Sequence, residues 1–256
     1  MTKVLGILGT PNRSGLTAAM LQEVLTGAEL DGCEVETLYL SDYRLELEKA
    51  DETNEDLDKL HQKMLASDCI VLAAPTYWGN VSGVMKQFLD SMRSRLVRFA
   101  KDGEMLPDLY HKKKYILMTN CYTKKFENRL TGVTDTTFIT MDRAFSTAGM
   151  ERMAEIVCTD TFDMQELPTK KIAECRKVGS LIKTKIEKRD FTVKRYIQLF
   201  FMLAFSTLVT MGIQTLIGNW IDITSFFARY VSFVLIFFSL LSIVLHYFSV
   251  KKHKRS

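Results

Sequence analysis

The sequence predicts an α/β domain, a doubly wound five-stranded parallel sheet, followed by two helices that cross a membrane. Three observations carry this. Short apolar runs alternate five times with amphipathic runs of helical period over the first 190 residues. Runs such as CIVLAA are apolar from end to end, as strands covered on both faces must be, whereas half-exposed antiparallel strands alternate. Finally, residues 196–217 and 230–250 are uncharged runs of 22 and 21 residues.

Taken in order, residues 3–8 form an apolar strand, and 16–30 a helix with Leu and Val at helical spacing. Residues 33–40 are the second strand and 54–66 the second helix. Residues 69–74 are the fully apolar third strand, and 81–99 read as one long amphipathic helix. A polar stretch rich in Lys and Asp leads to a fourth strand at 115–120, a helix at 136–148, a fifth strand at 152–158 and a closing helix at 169–188. Five βα units imply crossover helices on both faces of a parallel sheet. Two stretches without periodicity, 41–55 and 123–135, follow strands and so lie where ligands bind in such sheets.

The division falls into a globular domain at 1–190 and a membrane anchor at 191–256. A spanning helix needs about 20 apolar residues at about 1.5 Å each, and both terminal runs meet that length. A buried core helix, the other reading of such runs, rarely lacks charge on every face. Basic residues crowd the outer flanks: Lys183, Lys185, Lys188, Arg189, Lys194 and Arg195 before the first run, and Lys251, Lys252, Lys254 and Arg255 after the second. The connector 218–229 holds only Asp222 and Arg229. By the positive-inside rule the globular domain and both termini are cytoplasmic and the connector crosses to the far side of the cell membrane. Trp220 and Tyr230 lie near the outer ends of the spans, where amphipathic rings favour the interface. Ala204, Ser206, Gly212 and Gly218, with Ser239 and Ser242, are small enough to let the two helices approach.

The net charge of +4 belongs to the anchor; residues 1–182 alone sum to −4, so no nucleic-acid footprint is expected. Cys33, Cys69, Cys121, Cys158 and Cys175 are dispersed, without disulfide or metal-ligand spacing. Cys69 and Cys158 sit in apolar runs as buried thiols, while Cys121 follows a strand at the edge where a site would lie. His61, His111, His246 and His253 form no catalytic grouping with Ser, Cys or Asp.

The first strand ends in Gly9-Thr10-Pro11-Asn12-Arg13-Ser14-Gly15-Leu16-Thr17, and a helix follows at once. Gly9 and Gly15 ease a tight turn, the hydroxyls of Thr10, Ser14 and Thr17 suit phosphate oxygens, and the helix N-terminus offers N–H groups and a favourable dipole. It is not a Walker A loop, since five residues separate the glycines and no Lys-Ser/Thr follows. Nor is it the dinucleotide fingerprint, which needs G-x-G-x-x-G. An ordinary capped strand-to-helix turn would use the same residues.

The third strand runs into Pro75-Thr76-Tyr77-Trp78-Gly79-Asn80, continuing as VSGVMKQFLD. Two aromatic residues in a loop beyond a buried strand either stack on a flat ligand or pack over the sheet end.

Together, GTPNRSGLT and APTYWGNVSGVMKQFLD resemble the NAD(P)H-dependent FMN reductase family, over about residues 2–185. The resemblance implies a flavodoxin-like fold with strand order 2-1-3-4-5. It further implies FMN, with its phosphate held by Thr10, Asn12, Arg13, Ser14, Gly15, Leu16 and Thr17 and its ring lined by Pro75, Thr76, Tyr77, Trp78, Gly79 and Asn80. A third ligand loop of the family corresponds to Asn120, Cys121 and Tyr122. NADPH or NADH is the implied co-substrate, and a homodimer the implied assembly. One branch of the family carries a cysteine cluster for an iron-sulfur centre between the second strand and second helix. The corresponding stretch here, SDYRLELEKADETNEDLDK, has no cysteine.

The expected function is therefore a membrane-tethered oxidoreductase that passes electrons from a nicotinamide nucleotide through FMN to a small acceptor, such as a quinone or free flavin. The tether favours a lipid-soluble acceptor. The alternative is a membrane-anchored flavodoxin-like carrier of single electrons between protein partners, against which the mild charge of the globular part argues.

Overall fold

The computed structural model describes residues 1–48, 53–187, 192–218 and 225–254, and the chain divides into two units, Met1–Lys188 and Arg189–Ser256. In the first unit the strands are β1 (Lys3–Leu8), β2 (Glu34–Tyr39), β3 (Cys69–Ala73), β4 (Thr76–Tyr77), β5 (Asn80–Val81), β6 (Val97–Phe99), β7 (Met105–Pro107), β8 (Lys114–Asn120) and β9 (Glu151–Cys158). Its helices are α1 (Leu16–Leu30), α2 (Glu55–Ala66), α3 (Gly83–Ser91), α4 (Arg93–Leu96), α5 (Lys125–Thr131), α6 (Asp135–Thr147), α7 (Thr169–Ser180) and α8 (Ile182–Glu187).

Five strands form one sheet in the order β2-β1-β3-β8-β9, every pair parallel. This is the expected flavodoxin-like order. Parallel neighbours require crossover helices, and these bury both faces of the sheet. One face packs Leu5, Ile7, Ile70, Leu72, Tyr115 and Leu117 under α2, α3 and α6. The other packs Val4, Leu8, Val71, Ile116 and Met118 under α1 and α7. There α1 and α7 cross at backbone distance: a Cβ on Gly27 would collide with the Arg176 carbonyl, and one on Gly179 with the Val24 carbonyl. Only glycine permits that approach.

Three expectations need correction. The run 81–99 is not one helix: α3 starts at Gly83, capped by Ser82, and ends at Ser91. After α4 the chain turns into β6, which pairs with β7 as an antiparallel hairpin. Val97-Arg98-Phe99 continues the amphipathic pattern but is β-prone, and its pairing with residues 105–107 decided the outcome. The aperiodic stretch 123–135 contains α5, which buries no residue and so shows no apolar face in sequence. The closing helix breaks at Leu181 into α7 and α8.

The second unit contains α9 (Thr192–Gly218) and α10 (Phe226–Lys254), each long and apolar enough to cross a membrane over Leu199–Gly218 and Phe226–Ile243. Gln214 Nε2 donates to the Arg229 carbonyl and to Ser232 Oγ, both at 2.8 Å, linking the two helices. Ser206 is buried, while Ala204, Gly212, Gly218, Ser239 and Ser242 are exposed. Of the small residues expected to ease helix approach, only Ser206 is therefore enclosed. Lys188, Arg189, Trp220, Asp222 and Arg255 lie outside the described residues, as do the side chains of Lys194, Arg195, His246, Lys251, Lys252, His253 and Lys254.

Candidate functional site

The loops that follow β1, β3 and β8 lie at the carboxyl edge of three adjacent strands, where parallel sheets bind ligands. The first loop turns from β1 into α1. Gly9 N donates to the Ala73 carbonyl at 2.8 Å, prolonging the β1–β3 ladder into the loop. A Cβ on Gly9 would strike Met85, so glycine also lets α3 close on it. Asn12 accepts through Oδ1 from Ser14 N at 3.1 Å and Ser14 Oγ at 3.2 Å, and Asn12 N donates to Thr10 Oγ1 at 3.3 Å. The Asn12 side chain thus braces the loop from within. Arg13 turns outward: its guanidinium pairs with Asp42, donates to Ser41 Oγ at 3.4 Å and lies 4.4 Å over the Tyr39 ring.

α1 begins after Gly15 with no side chain capping it, unlike α2, capped by Asn54, and α3, capped by Ser82. Its first-turn N–H groups lack the usual capping oxygen, which suits an anion at the positive end of a long helix. Thr17, in that first turn, is buried and donates its hydroxyl to Asn120 Oδ1 at the end of β8, joining the first loop to the third.

The second loop is a tight hairpin. Pro75 is buried; Thr76 and Tyr77 pair with Asn80 and Val81, and Trp78 and Gly79 form the tip with φ of 53° and 73°. Two positive φ values are what a two-residue type I′ hairpin needs, and its usual residues there are Asn and Gly. Trp78 holds this strained conformation while fully exposed, and Tyr77 is half-exposed. The root of the hairpin is pinned: Thr76 Oγ1 shares hydrogen bonds with Thr119 Oγ1 at 2.8 Å and Thr137 Oγ1 at 2.9 Å. Asn80 Oδ1 accepts from Val81 N at 2.7 Å and Thr140 Oγ1 at 3.2 Å. Ser82 donates to the Gly9 carbonyl, tying this loop to the first.

In the third loop Cys121 is buried and Tyr122 exposed, the latter edge-on to Phe162 at 5.6 Å between centroids. Burial pushes the Cys121 thiol up, against thiolate chemistry. All five cysteines are buried, with Cys175 pushed up to about 12 by burial.

The structure therefore brings the three expected loops together, and separates backbone-forming residues from available ones. Thr10, Asn12, Thr76 and Asn80 spend their side chains inside the loops; Ser14, whose hydroxyl also bonds Asn12, and Tyr77, Trp78 and Tyr122 are exposed. Ser82, Thr119, Thr137 and Thr140 were not anticipated. Ser82 carried a signal, a serine directly before a glycine and an apolar periodic run. The threonines carried none, because their role arises only once β8 and α6 pack against the hairpin.

The candidate site is thus a Gly-Ser/Thr loop at an uncapped helix beside an aromatic hairpin, at the carboxyl edge of a flavodoxin-like sheet. Residues 2–115 match the family described as NADPH-dependent FMN reductase, so this part of the chain is FMN-reductase-like in sequence. An iron-sulfur flavoprotein of Archaeoglobus fulgidus is 34% identical over 104 residues, covering 38% of this chain and 50% of that protein. The chain thus spans about half the length of the curated relatives it matches. Among solved structures, a flavone reductase superposes with a TM-score of 0.59 at 22% identity, over 73% of this chain and 64% of the other. The NAD(P)H:quinone oxidoreductase from Methanothermobacter marburgensis gives 0.59 at 14% identity, over 71% and 97%. At these identities the superpositions show the shared fold.

Proposed function

We propose that this chain is a membrane-tethered, FMN-dependent NAD(P)H oxidoreductase that passes electrons from a nicotinamide nucleotide to a small acceptor of the quinone or free-flavin class. The observation that carries the reading is the junction of the uncapped α1 loop with the Trp78-Gly79 hairpin, made by Ser82 and the Gly9 carbonyl.

The residues present fit FMN. The N–H groups at the start of α1 would hold its phosphate, with the exposed Ser14 hydroxyl turning to it from Asn12 and Thr10 and Thr17 buried behind them. Loop 10–15 keeps its shape through Asn12, and the pinned hairpin offers backbone and aromatic faces to the ring from Pro75 to Asn80. Asn120, Cys121 and Tyr122 border it from the third strand. When bound, FMN supplies a ring that takes up a hydride and hands on electrons. The protein contributes position and dry surface, and we assign it no general acid or base. Between Cys33 and Cys69 the sequence has no cysteine, so the electron path we propose uses no iron-sulfur cluster.

α9 and α10 anchor the chain in the cell membrane as a hairpin, with the flavin domain and both termini on the cytoplasmic side. Lipid is thus one partner. A second copy of the chain is another: exposed Tyr122, Phe126, Leu130 and Phe162 leave apolar surface for a neighbouring subunit to cover, as a homodimer does. The direct test is FMN-dependent oxidation of NADPH and NADH by the purified full chain, with a soluble quinone and free flavin as acceptors. Flavin binding without nucleotide oxidation would instead favour the single-electron carrier.

A further inference from the structure

The chain that follows β9 turns back over the end of β8 before it reaches α7. Asp160 N donates to the Thr123 carbonyl at 2.9 Å and Thr161 N to the Cys121 carbonyl at 3.3 Å. To make this return Asp160 takes a φ of 61°, a left-handed conformation uncommon outside glycine. Phe162 then sets its exposed ring edge-on to Tyr122. Further along, Gln165, Glu166 and Leu167 face Ser14, Gly15 and Leu16 across a cleft of about 270 Å³. Glu23 and Glu166 also line that cleft, so it is itself no seat for an anion. It brings the loop after β9 against the start of α1.

Thr161 in this loop is buried, and among the described residues its Oγ1 is the one enclosed side-chain nitrogen or oxygen with no hydrogen-bond partner. Its backbone is fully used, since the N–H bonds Cys121 and the carbonyl accepts from Met164 N at 3.4 Å. A hydroxyl enclosed without a partner costs stability, and buried polar groups nearly always find one. The other buried threonines around the site do: Thr17 donates to Asn120, and Thr119 bonds Thr76. Packing alone would be served as well by valine. Cys121, the backbone partner of Thr161, directly follows Asn120, which Thr17 joins to the first turn of α1. Thr161 is thus linked through one strand end to the uncapped start of that helix.

We propose that the loop after β9 is a fourth wall of the cofactor site, in which the Thr161 hydroxyl donates to a phosphate oxygen of the bound flavin nucleotide. This rests on the FMN reading above and adds to it a residue outside the three loops that the sequence indicated. The hydroxyl reaches the anion by one step of χ1 between staggered rotamers, exchanging an enclosed, unpaired state for a charge-assisted bond. Ser14 must leave Asn12 to make such a bond, whereas Thr161 gives up none.

The test compares FMN with riboflavin, which lacks only the phosphate. Dissociation constants for both are measured by flavin fluorescence on the full chain in detergent, together with thermal melting of the flavin-free chain. Thr161→Val keeps the shape and removes the hydroxyl. The expected result is a loss of FMN affinity of roughly tenfold or more, no change for riboflavin, and a flavin-free melting temperature equal to or above the parent's. Thr161→Ala should change the ratio of the two constants in the same direction, and Thr161→Ser should keep the parent's ratio. An unchanged ratio in Thr161→Val and Thr161→Ala would overturn the proposal; with a lowered melting temperature it would mark the hydroxyl as satisfied by enclosed water. The parent chain keeps the two readings apart. A parent that binds FMN no better than riboflavin removes the phosphate site itself, whereas a parent that prefers FMN, beside variants of unchanged ratio, removes only the part given to Thr161.

Discussion

Ser82 donates its hydroxyl hydrogen to the carbonyl of Gly9, 73 residues away in sequence, and accepts from the Met85 amide at 3.4 Å. One side chain thus caps α3 and fixes the spacing between the two loops assigned to the phosphate and the ring. Ser82→Ala removes both bonds, and we expect a loss of about 1–2 kcal/mol in stability. The dissociation constant for FMN should rise with it, and Ser82→Thr should restore both properties. Thermal melts by circular dichroism and flavin fluorescence titrations on the detergent-purified chain read the two effects.

Trp78 presents the opposite trade. A non-glycine residue at φ 53° carries strain of about 1 kcal/mol, and nothing buries its ring. Trp78→Asn, a residue suited to this turn, should raise stability by up to about 1 kcal/mol. Loss of the stacking face should weaken FMN binding roughly tenfold or more. If both stability and affinity rise, Trp78 does not meet the flavin.

Arg95 clamps the loop before α2, bonding Glu48 through both terminal nitrogens at 2.7 and 2.5 Å and Asp58 at 2.7 Å. The Arg95 hydrogen bonds hold the Glu48 carboxyl down from its ordinary 4.5 to about 2. A carboxyl depressed on folding stabilises above its unfolded value, and that stability is lost as pH falls. Glu48→Gln should therefore cost about 1–2 kcal/mol at pH 7. Its deficit relative to the parent should shrink between pH 4.5 and 2. Urea unfolding of both proteins across that range checks the sign.

The sheet was legible because burial on both faces leaves strands such as residues 69–74 with no polar residue to interrupt them. The turns after β1 and β3 were legible for a different reason: Gly9 and Gly79 occupy positions whose backbone demands show in residue type, although Trp78, at a positive φ beside Gly79, gave no such sign. What sequence did not show depends on partners distant in the chain. The β6–β7 hairpin hid inside an apparent helix because Val97 and Phe99 satisfy either period over so short a run. The Thr76–Thr119–Thr137 cluster exists only once β3, β8 and α6 are adjacent. Arg13 was expected at phosphate, and its pairing with Asp42 and Tyr39 depends on β2 being the neighbouring strand.

The membrane topology makes a separate prediction. All five native cysteines are buried, so a cysteine introduced at an exposed position is the one labelled in the folded protein. Ser225→Cys, at the start of α10, should react with a membrane-impermeant maleimide in intact cells. Ser146→Cys, exposed on α6, should react only after permeabilisation. The reverse pattern would place the flavin domain on the far side.

The most direct measurement is an anaerobic titration of the FMN-loaded full chain with NADPH and then NADH, following flavin absorbance. The account predicts complete bleaching by one equivalent of at least one nucleotide, in a single two-electron phase. A chain that binds FMN but is bleached by neither nucleotide would contradict the oxidoreductase assignment, and a chain that binds no FMN would contradict the site itself.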